Sequence, residues 1–253
     1  MKQTLQRIAA SFILCITAFA GSSIGASDKD DGTPSNPVIV SDGVADKKDE
    51  WKPLFDGETL TDWSVPEYGG DGEVQVQDGN IVIGRGLMMT GIRYDKDFPN
   101  INYEIQYEAR RTHGFDFFAA CTFPVGDNFC TFINGGWGGG LTGLSNINGV
   151  DASENQTTMY FNYRSNVWHR FRIQVTDSHI RIWIAPFNRE GNWDAEKLVI
   201  DVEKSEKKFS TRSEVDMYKP LGFTAWSTEG ELREIKYRVL NPGEGREHPF
   251  VRE

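Results

Sequence analysis

The chain is short of the residues from which metal and nucleotide sites are usually made. It has 3 cysteines and 4 histidines in 253 residues. Neither His-x-His nor His-Glu-x-x-His occurs, so a tight transition-metal centre lacks its usual ligand spacing. Positive charge is scarce too, with 27 Lys and Arg against 37 Asp and Glu, a net charge of -10. Such a chain repels a phosphate backbone, and no nucleic-acid partner is expected. No window carries the period of a long amphipathic helix, and no internal repeat is visible.

Long apolar runs are nearly absent. One occurs at residues 8–21, behind Lys2 and Arg7, and it is too short to span a bilayer comfortably. Small residues follow, with cleavage expected after Ala20 or Ala26. Cys15 follows Phe12-Ile13-Leu14 rather than the small residues that precede a lipid-modified cysteine. Residues 1–26 are therefore expected to be a signal peptide, leaving a secreted or periplasmic protein with no transmembrane span in the mature chain. Residues 27–50 are polar and charged, an expected flexible acidic leader.

What is abundant is β patterning. Aromatic residues make up 12% of the chain, and aromatic side chains favour strands. "EVQVQDGNIVIG" reads as two strands around an Asp78-Gly79-Asn80 turn. "YEIQYEARR" alternates, with Tyr103, Ile105, Tyr107 and Ala109 on one face. Glu104, Gln106, Glu108 and Arg110 fall on the other. "WHRFRIQVTDSHIRIWIA" reads as a hairpin with Phe171, Ile173 and Val175, then Ile180, Ile182 and Ile184, facing inward. His169 shares their phase and is expected to pack in the core. About a dozen such runs predict an all-β fold over residues 51–240, a two-sheet antiparallel β-sandwich. Residues 241–253, with two prolines and no pattern, are expected to be a tail.

Cys121 and Cys130 flank "TFPVGDNF". A two-residue turn at Val125-Gly126 would set them directly opposite, at a spacing that suits a disulfide. Two buried free thiols is the other reading. On the same register Asp116 would lie opposite Gly135.

The run "FINGGWGGGLTGLSNINGVD" contains Gly138, Gly140 and Gly143 at the G-x-G-x-x-G spacing. A dinucleotide site needs a helix next, and "LSNINGVDASENQTT" has no helical apolar period. No Gly-Lys-Ser/Thr follows either, so this is not a P-loop. Trp137 stands inside the run, and Asn146, Asn148, Asp151, Glu154 and Asn155 follow it. An aromatic plate beside amide and carboxylate oxygens suits a saccharide ligand. A divalent cation such as calcium, on Asp151, Glu154 and Asn155, is a further reading, though the spacing matches no EF-hand.

"WKPLFDGETLTDW", with Leu54-Phe55-Asp56-Gly57, Leu60 and Trp63, resembles the opening of the 3-keto-disaccharide hydrolase-type domain family. That family is also described as 3-keto-glucoside 1,2-lyase/3-keto-2-hydroxy-glucal hydratase. The resemblance continues through "VQDGNIVIG", "NYEIQYEARR", "VWHRFRIQV" and "PLGFTAWSTEGELREIKYRVL". It implies a jelly roll of the concanavalin A-like kind and a carbohydrate-active protein acting on keto-sugar glycosides. It departs from the family in two places. Where many members carry Asn-Ser-Gly, this chain reads "THGFDFFAACTFPVGDNFC", and Ala225-Trp226 replaces a common Leu-Gln pair.

Elimination from a 3-keto glycoside needs a base for the acidified C2 proton, an acid for the leaving oxygen and a holder for the enolate charge, often a metal. His113, Asp116 and Asp151 are the expected catalytic residues, because the hairpin register brings His113 and Asp116 towards the glycine run. Arg110, Trp137, Asn148 and Trp226 are the expected saccharide contacts. Trp226 is out of phase with Phe223 and Ala225, and so points away from the core. Each has a plainer alternative: a turn carboxylate for Asp116 and Asp151, a solvated turn for His113, an ion pair with a neighbouring strand for Arg110, a core tryptophan for Trp226. A non-catalytic, lectin-like module of the cell envelope is the alternative function, since this fold serves both.

Overall fold

A computed structural model describes residues 50–241. The expected signal peptide, and all but one residue each of the expected leader and tail, lie outside them. The described residues form fifteen strands and a short 3-10 helix, Ser213–Tyr218.

Two antiparallel sheets face each other. The first runs β13(Lys197–Glu203), β12(His179–Pro186), β11(His169–Val175), β6(Tyr103–His113), β15(Glu229–Val239), β4(Asn80–Ile83), β3(Val74–Gln77), with β1(Lys52–Pro53) also on β15. The second runs β10(Met159–Tyr160), β9(Leu141–Ser145), β8(Asn128–Gly135), β7(Ala120–Val125), β14(Leu221–Trp226), β5(Met89–Tyr94), β2(Trp63–Ser64). This is the expected two-sheet sandwich, of the jelly-roll kind.

Alternation builds the core. Tyr103, Ile105, Tyr107, Phe171, Ile173 and Ile182 from the first sheet meet Ile92, Phe123, Phe132, Leu144 and Phe223 from the second in one buried cluster. Each such side chain contributes about 1.5–3 kcal/mol on leaving water. The hairpin β3–β4 turns on Asp78 and Gly79, both with positive φ (51° and 78°), the type I′ geometry that matches strand twist.

The β7–β8 hairpin corrects an expectation. Its turn residues are Gly126 and Asp127, because Val125 pairs with Asn128. Cys121 therefore faces Phe132, and Cys130 faces Phe123. The two cysteines are diagonal neighbours, a spacing too long to bridge. Both are free thiols buried in the core.

The outer faces of the two sheets differ. On the first, Glu104 is 1% exposed and Glu108 4%. Glu104 accepts from Arg172 Nη1 at 3.0 Å, Arg238 Nε at 2.8 Å and Gln174 Nε2 at 2.8 Å. Glu108 accepts from Arg170 Nη2 at 2.8 Å and Arg233 Nε at 2.9 Å. Indole rings cover the guanidinium groups: Arg172 lies 3.8 Å from the Trp183 ring centroid, and Arg233 4.0 Å from that of Trp168.

The second sheet's outer face is built of Thr, Ser, Gly and a few apolar groups. The 3-10 helix lies on part of it, held by Tyr218 and Val215 against Met89. Gly91 and Gly222 make this approach feasible. A Cβ at Gly91 would meet Tyr218 Cε1 at 2.8 Å, and one at Gly222 would meet Tyr218 Cβ at 2.7 Å.

Candidate functional site

Between the 3-10 helix and the glycine run, the outer face of the second sheet opens into a cavity of about 230 Å³. Thr131, Ile133 and Ser145 of β8 and β9 line it, as do Met89 of β5 and Trp226 of β14. Asp116, Phe117 and Trp137 border it from the connections around β7 and β8, and Arg212, Glu214 and Val215 from the 3-10 segment.

The glycine run is an anion cradle, though not for a nucleotide. Gly135 (φ 84°), Trp137 (φ 47°), Gly138 (φ 92°) and Gly139 (φ 107°) all occupy the left-handed region. Such successive residues turn their N–H groups to one side and form a concavity that binds negative charge. The charge here is Asp116. Its Oδ1 accepts the Phe117 N–H at 2.8 Å, and the backbone N–H groups of Gly138 and Trp137 also stabilise its carboxylate. Its own N–H donates to Thr228 Oγ1 at 2.9 Å.

Burial works against these donors and wins: the Asp116 carboxyl is held above the usual aspartate range, despite Phe117, Gly138, Trp137 and the more distant Arg111. Glu214, across the cavity, is shifted the opposite way. Arg212 Nη2 donates to its Oε1 at 2.9 Å, and this bond holds the carboxyl below the usual glutamate range. Two carboxyl groups with opposed shifts thus share one cavity. Arg212 also donates from Nη1 to Asp151 Oδ2 at 2.8 Å and is the one cation among the lining residues.

Of the expected site residues, Asp116, Trp137 and Trp226 line this cavity. Trp226 points away from the core and packs beside Tyr68 and Phe117. Asp151 stands behind it as the anchor of Arg212. The other three are elsewhere. His113 is an exposed residue at the end of β6, opposite Glu229, and does not line the cavity. Arg110 belongs to the first sheet's outer face, where its Nη2 meets Glu231 Oε2 at 2.7 Å and its guanidinium stacks on Trp168. Strand parity, which put Arg110 beside Glu108, forces this placement. Asn148 is exposed and accepts the Lys208 N–H at 2.8 Å on Oδ1, bordering a separate depression.

His169 is a core residue, 1% exposed among Phe118, Phe161, Tyr163 and Phe171. Burial lowers its pKa to about 4, so it is neutral at physiological pH.

Two of the three residues expected for calcium are already engaged. Asn155 Oδ1 already accepts the Thr157 N–H at 2.9 Å and its hydroxyl at 2.6 Å, and Asp151 is turned to Arg212. Among the described residues no group of three or more His, Cys, Asp or Glu side chains is placed to hold a metal.

Glu214 and Arg212 escaped sequence reading because a short irregular segment has no period to mark its inward side. Arg111 was missed because it follows an apolar face and looks like the strand's polar end.

Solved structures share the fold at low identity. A Crh5 transglycosylase is 13% identical, with a TM-score of 0.51 over 76% of this chain and 85% of its own. The exoplasmic/lumenal domain of VIP36, in a Ca2+/Man3GlcNAc-bound form, is 7% identical, with a TM-score of 0.51 over 77% and 90%. Lectin UEA-II, complexed with galactose, is 7% identical, with a TM-score of 0.50 over 77% and 100%. A search of curated proteins by sequence found no match. The profile of one family does match, over residues 50–238, most of the chain and both sheets. This protein belongs to the family described as the 3-keto-alpha-glucoside-1,2-lyase-like domain.

Proposed function

We propose that this is an exported carbohydrate-active protein that cleaves keto-sugar glycosides by elimination and hydration, or by hydrolysis, in the cavity beside Trp137. The observation that carries the reading is the cavity that brings Asp116, on its glycine cradle, and the Arg212–Glu214 pair together beside Trp137. Environments that push two titratable groups apart mark the acid and the base. Asp116, whose burial favours the protonated form, is the acid for the leaving oxygen. Glu214, held ionised by Arg212, accepts the C2 proton. In the elimination the C2–H electrons form the C1–C2 double bond, and the aglycone leaves C1 with the Asp116 proton. Water then adds to C1 as Asp116 takes a proton back, and Glu214 returns its own to C2. Arg212 faces the charge that develops on the C3 oxygen. Trp137 and Trp226 offer ring faces to the C–H side of a sugar.

Incubation of the purified protein with 3-keto-disaccharides and their unoxidised parents, with and without a chelator, tests this. Turnover of the keto forms that Asp116→Asn and Glu214→Gln abolish is the expected result. Binding of saccharides without turnover of any would make the protein a lectin-like module instead, a reading the two tryptophans equally serve.

A further inference from the structure

Arg111 occupies the last inward-facing position of β6, after Tyr103, Ile105, Tyr107 and Ala109. It is 7% exposed. Every other arginine placed on the first sheet has a carboxylate within ion-pair distance: Arg110, Arg170, Arg172, Arg181, Arg233 and Arg238. Among the described residues Arg111 has none. Its guanidinium bonds to backbone carbonyls instead, Nη1 to Gly139 O at 3.2 Å and Nη2 to Tyr163 O at 2.6 Å, beside the Phe118 ring. A buried cation bonded only to carbonyls is an expensive arrangement, and it persists where the geometry it fixes is needed.

The backbone it grips is the Asp116 cradle. The turn over residues 135–139 shows N–H groups of Trp137 and Gly138 to Asp116 and the Gly139 carbonyl to Arg111. Its peptide dipoles therefore run between a carboxylate and a guanidinium. Trp137 needs such support, because a left-handed conformation costs a non-glycine residue roughly 1–2 kcal/mol. Gly139 gives an independent sign of the match: a Cβ there would stand 2.9 Å from Arg111 Nη1.

We propose that Arg111 is the positioning residue of the site, gripping the glycine turn from inside the sandwich so that Trp137 and Asp116 are presented to the cavity. Its catalytic meaning rests on the reading of the cavity given above. A lysine could reach one of the two carbonyls; the planar fork reaches both, tying the turn to the Tyr163 segment.

The test uses the full chain and needs no substrate. One readout is the carboxyl 13C titration of Asp116; the other is the Trp137 resonance in 5-fluorotryptophan-labelled protein, assigned with Trp137→Phe. The groups facing Asp116 are Arg111 from β6, Thr228 from the β14–β15 turn, the N–H groups of the glycine turn, and Arg212 with Glu214 across the cavity. Tyr163 and His169 face Arg111.

Arg111→Met is expected to raise the Asp116 midpoint and to shift the Trp137 resonance. Arg111→Lys should return the midpoint most of the way without restoring the Trp137 resonance. Arg110→Met, next door but on the opposite face, should move neither. Gly139→Ala, which pushes the guanidinium aside and strains the turn at its positive φ, should move both and covers the case in which Arg111→Met does not fold. Unchanged Asp116 and Trp137 signals in folded Arg111→Met or Gly139→Ala would overturn the proposal. A wild type that neither binds nor turns over saccharides would instead defeat the reading of the cavity and leave this result standing.

Discussion

The outer faces of the two sheets carry titratable groups to different ends. On the first sheet, Glu104 and Glu108 are as buried as core residues, and each is met by two arginines. On the second, Asp116 is half-buried and its nearest donors are backbone N–H groups rather than a cation. Matched charges lend rigidity. A carboxyl lifted by burial, with no contact cation, holds its proton more tightly than a free aspartate. The comparison teaches that in this sandwich the strongly ionic face ties strands together, and the less charged face holds the cavity.

The largest effect expected from breaking that division is on turnover. Asp116→Asn should lower the rate on a keto-glycoside by about 10²–10⁴-fold. Burial raises this carboxyl in the folded state, so folding is disfavoured as pH rises through the window just above the ordinary aspartate value. The neutral amide removes that penalty, and the variant's urea midpoint at pH 7 should equal or exceed that of wild type.

Glu104→Ala should do the reverse. It leaves Arg238 and Gln174 without their carboxylate, while Arg172 keeps Glu196, and should cost about 1–3 kcal/mol of stability, read from denaturant unfolding. Saccharide affinity at the other sheet should not change. A loss of affinity without loss of stability would collapse the distinction between the two faces.

His169 sharpens the comparison from the interior. With its folded pKa lowered to about 4 and an unfolded value near 6.5, its contribution is full above pH 6.5 and is lost as pH falls towards 4. That loss should reach about 3 kcal/mol, and His169→Gln should flatten stability over this window. The smallest effect belongs to Trp137→Gly. Relief of the left-handed conformation should stabilise the fold by about 1 kcal/mol, while saccharide affinity falls about tenfold with loss of the ring face, as calorimetric titration would report.

Much of the fold was legible because its strands alternate. Tyr103 to Ala109, Phe171 to Val175 and Ile180 to Ile184 each declare a face, and two such faces make a sandwich. The β7–β8 register was not legible. Val125-Gly126 and Gly126-Asp127 are both good turns, and a two-residue slip preserves every inward side chain. That slip separates Cys121 from Cys130 and brings Asp116 to Trp137 itself rather than to Gly135. The site was half legible. Trp137 and Trp226 announced themselves by type and phase, whereas Glu214 is placed by a segment without period. His113 and Arg110 are close to Asp116 in sequence, yet neither lines the cavity.

The two thiols have a consequence for measurement. Cys121 and Cys130 lie between the sheets with no exposure, and burial pushes both thiols up, Cys130 to about 12. A thiolate is the species that alkylates, so neither reacts until the layers part. The rate at which a maleimide labels them therefore times how often the two sheets separate, and the protein carries its own stopwatch for that event.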